Sequence, residues 1–234
     1  MHYCGVVPMQ GLLQLAMLDE VRTPDPPIRL SALFYEPGSA EDVARELHAL
    51  GDVVVGVGAP LGGPRDRRPG RDCDALLLRR GVAPQPGHQE TRKLAELVRD
   101  LHTFAPGDGD VTGPVDEGTY LHSPVFETNA DGVFCALRGR RLPAKRHPFG
   151  LWMRLEELEG DHVSDDGGNL WHRRIEEVDA IVCALCAHRY AVGHASWLGD
   201  PEEGVAVLPG TSIPQEFERR GVMPPVERLH LSRA

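Results

Sequence analysis

Residues 175–190, Ile-Glu-Glu-Val-Asp-Ala-Ile-Val-Cys-Ala-Leu-Cys-Ala-His-Arg-Tyr, constrain the fold more than any other stretch of this chain. Acids fill the opening turn, and small or apolar residues then run unbroken from Ala180 to Ala187. A helix that is apolar all round must be covered on every side. Small side chains let it approach a sheet closely, so the segment predicts a buried helix lying on strands. Glu176 and Asp179 are three residues apart and share one face of that helix.

The rest of the chain supplies the strands. Residues 3–7, 12–18 and 28–35 are β-prone runs separated by turn-forming Pro8-Met-Gln-Gly11 and Pro24-Asp-Pro-Pro27, which predicts an antiparallel meander. Ser39 and Asp42 have the spacing of a capping box, with Val43, Leu47 and Leu50 as the apolar stripe of the helix that follows. Residues 52–57 read as a buried strand because both faces are apolar. Helices are expected over residues 72–80 and 90–104, a strand over 125–127, a helix capped by Asn129, another over 149–158, and the final helix from about Leu170. The order is β-β-β-α-β-α-β-α, an α/β class with a five-stranded mixed sheet, three strands antiparallel and then two parallel. The expected organisation is one domain over residues 1–209 and a C-terminal extension over 210–234.

Composition narrows the partners. The formal net charge is −10, so the surface as a whole repels phosphate backbones, and nucleic acid is disfavoured as a non-specific partner. Residues 138–147 carry the one dense cationic run, read as a solvated loop because aromatics are not interleaved with it. No apolar run approaches a membrane span, and no signal-type segment opens the chain, so the expectation is a cytoplasmic protein with no membrane partner. Nothing in the sequence fixes an oligomeric state. Cys183 and Cys186 have CxxC spacing but lie within the apolar helix, which predicts buried structural thiols.

The candidate chemistry lies in carboxylates at strand ends and on the last helix. Phe126-Glu127, Arg71-Asp72-Cys73-Asp74, Gly58-Ala-Pro-Leu-Gly62 and Trp197-Leu-Gly-Asp-Pro-Glu-Glu-Gly-Val-Ala-Val-Leu-Pro209 together resemble a prokaryotic family of predicted RNase H-like nucleases, the domain of unknown function 429. The resemblance spans about residues 3–209 and is strongest over 172–209. It implies an RNase H-like fold and a metal-dependent phosphodiesterase. In such a site Glu127, Glu176 and Asp179 would be catalytic residues and ligands of Mg or Mn, hard cations that take oxygen donors.

Two aspartates implied by the resemblance are replaced. Val7 stands where the first strand would end in one, and Gly58 where the fourth strand would carry the second. Neither can ligate metal through its side chain, which predicts an impaired or lost nuclease site, a pseudoenzyme. Asp179, Glu176 and Glu127 also have ordinary explanations, as helix-end electrostatics, a solvated acid and a sheet-rim acid. Two other readings stand beside the nuclease one. The chain is a non-catalytic nucleic-acid or protein binding module, or it binds a nucleotide or small molecule through the glycine-rich loop at residues 58–63, whose spacing fits neither a P-loop nor a dinucleotide fingerprint.

Overall fold

The computed structural model describes residues 1–64, 70–101 and 123–218. Eight strands among these residues form one mixed sheet: β1 (His2–Met9), β2 (Leu12–Arg22), β3 (Ile28–Phe34), β4 (Val53–Val57), β5 (Val125–Thr128), β6 (Val163–Ser164), β7 (Ala195–Asp200) and β8 (Gly204–Pro209). Their order across the sheet is β6-β3-β2-β1-β4-β5-β8-β7. The antiparallel meander β1–β3 is present as expected, and β4 and β5 add to it in parallel. The sheet is nevertheless wider than five strands. β6 pairs with β3 on one side, and the hairpin β7–β8 extends β5 on the other. That hairpin turns at residues 201–203, and β8 opens on Gly204, which adopts φ +108°, a conformation that glycine reaches without strain.

Among the described residues six helices cover the two faces: α1 (Ala40–Leu50), α2 (Asp72–Arg79), α3 (Gln89–Leu97), α4 (Ala130–Arg138), α5 (Pro148–Gly160) and α6 (Ile175–Ala191). The capping box at Ser39 and Asp42 closes in both directions, and the Asn129 side chain accepts from the Gly132 amide at the start of α4. α1 and α3 pack with Cys4, Val6, Val55 and Val57 on one face, while α4, α5 and α6 share the larger core on the other. The last helix starts later than Leu170. A single 3-10 turn at Leu170–His172 precedes α6, with the Asn169 side chain accepting from the Trp171 amide. The helix expected to run through Phe104 ends at Leu97 as α3, and residues 102–104 lie outside the described residues.

Close packing of α6 rests on two glycines side by side in the sheet. Gly5 of β1 is in register with Gly56 of β4. A Cβ on Gly5 would sit 1.9 Å from the Ala180 carbonyl oxygen and 2.4 Å from the Ala184 amide nitrogen. One on Gly56 would sit 2.6 Å from the Cys183 carbonyl oxygen. The helix backbone therefore lies directly on the strand backbones. The row of small residues from Ala180 to Ala187 makes that approach possible, and all of them are buried. Cys183 and Cys186 are free, fully buried thiols within this contact.

Past β8, residues 210–218 stay on the body. Phe217 is fully buried in the larger core, its amide donates to the Arg80 carbonyl, and the Arg141 amide donates to the Glu218 carbonyl. No helix among the described residues is long and apolar enough to cross a membrane.

Candidate functional site

β1, β4 and β5 run parallel and bring the strand positions to one end of the sheet. Val6 pairs with Val57, so the next residues, Val7 and Gly58, stand together, and the Gly58 amide donates to the Val6 carbonyl. A Cβ on Gly58 would lie 2.8 Å from Val7 Cγ1 and 2.9 Å from Cys183 Sγ. Cys183 is one helical turn beyond Asp179 on α6. The two positions expected to carry aspartates are thus an apolar floor of β1, β4 and α6, and the Val7 side chain occupies the space a side chain at position 58 would need.

Asp179 faces a cation supplied by the chain itself. Lys145 Nζ donates to Asp179 Oδ2 at 2.5 Å and lies 3.6 Å from Asp131 Oδ1 in the first turn of α4. Arg154 of α5, almost wholly buried, donates to the same Asp131 oxygen at 2.7 Å and to the carbonyls of Pro143 and Gly150. The loop carrying Lys145 is pressed tightly, since a Cβ on Gly150 would meet the Ala144 carbonyl oxygen at 2.1 Å. Two acids and two bases from three helices and a loop therefore close one electroneutral cluster. Asp179 Oδ1 is buried without a hydrogen-bond partner among the described residues.

Burial pushes the Asp179 carboxyl up to about 6, with the Lys145 charge pulling the other way. Burial opposes the charge on Lys145 too, but Asp179 and Asp131 outweigh it and hold the ammonium above its ordinary value. At neutral pH both members of the pair are ionised. Because the folded carboxyl binds its proton more tightly than the unfolded one, Asp179 favours folding most in acid. That contribution is lost as pH rises from about 4 to about 6. Carboxyl carbon NMR should find Asp179 titrating near 6. Lys145→Met should raise that midpoint by more than about one unit, the usual effect of removing an adjacent opposite charge. A midpoint below 4, or one indifferent to Lys145, would contradict the pairing.

Glu127 belongs to a different face. Its neighbours Phe126 and Thr128 both reach α6, Phe126 stacking on Tyr190 at 4.5 Å between ring centroids and Thr128 Oγ1 lying 3.6 Å from Cys186 Sγ. Strand alternation sends Glu127 the other way. There the buried Arg71, N-cap residue of α2, donates from Nη1 and Nη2 to the two Glu127 oxygens, both at 2.6 Å. The same guanidinium grips Asp74 through Nε and Nη2, at 3.0 and 2.8 Å. The Leu61 amide donates to Glu127 Oε2 at 3.0 Å, and a Cβ on Gly62 would meet the Glu203 carbonyl oxygen at 2.5 Å. The glycine-rich loop at residues 58–63 is thereby docked on β5 and the β7–β8 hairpin. Burial pushes the Glu127 carboxyl above its ordinary range, opposed by Arg71 and the Leu61 amide. Burial also opposes the Arg71 charge, but Glu127 and Asp74 more than compensate and hold the guanidinium above its usual value.

Val7, Gly58 and Asp179 are brought together beside α6, whereas the Glu127 side chain departs from the opposite face. Glu176 is half-buried in the first turn of α6, and the neighbouring Glu177 is the acid that accepts from the Arg174 amide at 2.8 Å. The cationic run is not a free surface. Arg138 donates to the Met153 carbonyl, Glu156 and Glu157, Arg141 to Glu216, and Lys145 to Asp179. Arg146 and His147 remain exposed, and the His147 ring caps the Phe149 amide. The acidic loop near residue 165 is likewise engaged, Asp165 by Arg173 and Asp166 by Arg29, Ser31 and Ser164.

Sequence reasoning missed Lys145, Asp131, Arg154 and the partnership of Arg71 with Glu127. One signal was available, since Lys145 is one of only two lysines in an arginine-rich chain. The Arg71 and Asp74 spacing of three also fits a pair on a helix start.

The fold and site define a three-layer α/β protein whose strand-end carboxylates are held by internal cations. The chain belongs to the family described as protein of unknown function (DUF429), whose model matches residues 16–203. No curated protein matches it, and no solved structure does.

Proposed function

We propose that this chain is a non-catalytic member of an RNase H-like lineage, a binding protein that keeps the nuclease scaffold without its metal centre. The strand order β3-β2-β1-β4-β5, with β2 antiparallel to its neighbours and α6 across β1 and β4, supports the RNase H-like reading. The observation that carries the loss of catalysis is the packing of Val7 against Gly58 beneath α6, with Asp179 tied to Lys145. A two-metal site needs several carboxylates converging on ions about 4 Å apart. Here Asp179 is already paired with the Lys145 ammonium, which it shares with Asp131, and Glu127 serves Arg71 from the other face. Incubation with single-stranded and duplex DNA and RNA in Mg2+ or Mn2+ should give no cleavage above buffer. Metal-dependent turnover abolished by Asp179→Asn would overturn this reading.

Protein is the favoured partner class. The net charge is −10, and Arg138, Arg141 and Lys145 are engaged with carboxylates of this chain. Within residues 138–147 that leaves Arg140, Arg146 and His147 for phosphate on a chain of net negative charge, so no specific binding to generic DNA or RNA is expected at about 150 mM salt. Exposed Phe149 and Trp152 on α5, 6.4 Å apart, supply the kind of aromatic surface that protein contacts use. Anisotropy titrations across salt concentrations test the exclusion of nucleic acid. Submicromolar affinity at physiological salt, weakened by replacing Arg140 and Arg146, would reverse the choice of partner.

A further inference from the structure

We propose that Cys73, Asp74 and Glu127 form a latent metal cage in which the Arg71 guanidinium stands in place of a borderline divalent cation such as Zn2+. One ligand atom from each of the three residues lies within 4.8 Å of the others. Cys73 is fully buried and Glu127 nearly so, and Asp74 is half-buried at the start of α2. A thiol with two carboxylates is a donor set for zinc or cobalt rather than for magnesium, which takes oxygen ligands. The guanidinium already occupies the cation position, spanning both carboxylates with four hydrogen bonds of 2.6 to 3.0 Å.

Charge matching supports the exchange. Zinc binding releases the Cys73 thiol proton to solvent, so a divalent ion with a thiolate leaves the two carboxylates in the same net charge as a guanidinium with a neutral thiol. The electrostatic demand on the surrounding protein is therefore unchanged. Zinc–ligand distances of about 2.0–2.3 Å require the three atoms to draw somewhat closer than they stand around Arg71. Removing the guanidinium frees the volume for that contraction. Gly204 keeps the adjoining side open, with its Cα bearing no side chain next to Glu127 Oε2 and Arg71 Nη1. A water can then complete four-coordination. None of this uses Asp179, so the cage is independent of the reading of the α6 face.

The test compares the full chain with Arg71→Ala and with Arg71→Ala/Cys73→Ala, using CoCl2 and ZnCl2 as probes. Arg71→Ala should acquire the near-ultraviolet thiolate-to-cobalt absorption band. Its midpoint of thermal unfolding should rise by about 5 °C or more at zinc a hundredfold above the dissociation constant. The native chain and the double variant should show neither response. If Arg71→Ala is unfolded without metal, zinc should restore a cooperative transition. The proposal is overturned if Arg71→Ala, folded or not, ignores both metals. It is also overturned if the double variant responds equally, or if the native chain binds as tightly as Arg71→Ala.

Discussion

Gly5→Ala is expected to abolish cooperative folding. The added methyl would stand 1.9 Å from the Ala180 carbonyl oxygen and 2.4 Å from the Ala184 amide nitrogen. Both are backbone atoms of a buried helix, so no side-chain rotation relieves the overlap. Relief requires lifting α6 from β1, and that separates two layers of the larger core. Overpacking a core typically costs about 1–3 kcal/mol when side chains can adjust, and a rigid backbone clash exceeds that range. A loss above about 4 kcal/mol is a large part of the ~5–15 kcal/mol that keeps a domain folded. Gly63→Ala is the control, because nothing lies within 4 Å of a Cβ there. Its stability should stay within about 0.5 kcal/mol of the native chain. Circular dichroism during urea unfolding separates the two. A Gly5→Ala protein with a near-native midpoint would mean that α6 does not rest on the strand backbones.

Arg71→Ala is the second large effect. It strips two buried bonds from Glu127 and two from Asp74 at once. Breaking a buried ion pair by removing one partner typically costs about 3–5 kcal/mol, because the remaining charge is left uncompensated. Arg71→Lys should recover only part of the loss, since an ammonium cannot match two carboxylates in parallel forks. The deficit should also shrink in acid. Burial already raises the Glu127 carboxyl, and without Arg71 it rises further. As pH falls through that folded value, Glu127 becomes neutral and no longer needs a partner. Urea unfolding in metal-free buffer at pH 7.5 and pH 5 measures both. A deficit below about 1 kcal/mol at pH 7.5, or one that grows in acid, would contradict the clamp.

Local signals in the chain were legible and distant pairings were not. The capping box at Ser39 and the cap at Asn129 are fixed by residues three apart, and both formed as the spacing predicts. The meander, β4, β5 and the burial of α6 follow from periodicity and apolar runs. Other features depend on partners far away in sequence. Lys145 and Asp179 are 34 residues apart, and Arg71 and Glu127 are 56 apart. Read alone, residues 138–147 are a basic surface. Only the fold reveals that their charges answer Glu156, Glu216 and Asp179. The glycine-rich loop at residues 58–63 likewise suggested a nucleotide or small-molecule site, whereas Gly58, like Gly56 before it, marks the approach of Cys183 on α6. The β7–β8 hairpin was hidden because residues 197–209 were read as a motif rather than as alternating strands.

Calorimetric titration of Mn2+ into the native chain tests the central claim most directly, that internal cations hold the surviving carboxylates. With Asp179 paired to Lys145 and Glu127 to Arg71, the expected dissociation constant is above about 1 mM, the range of sites poor in charged ligands. A micromolar constant that disappears in Asp179→Asn would contradict the account.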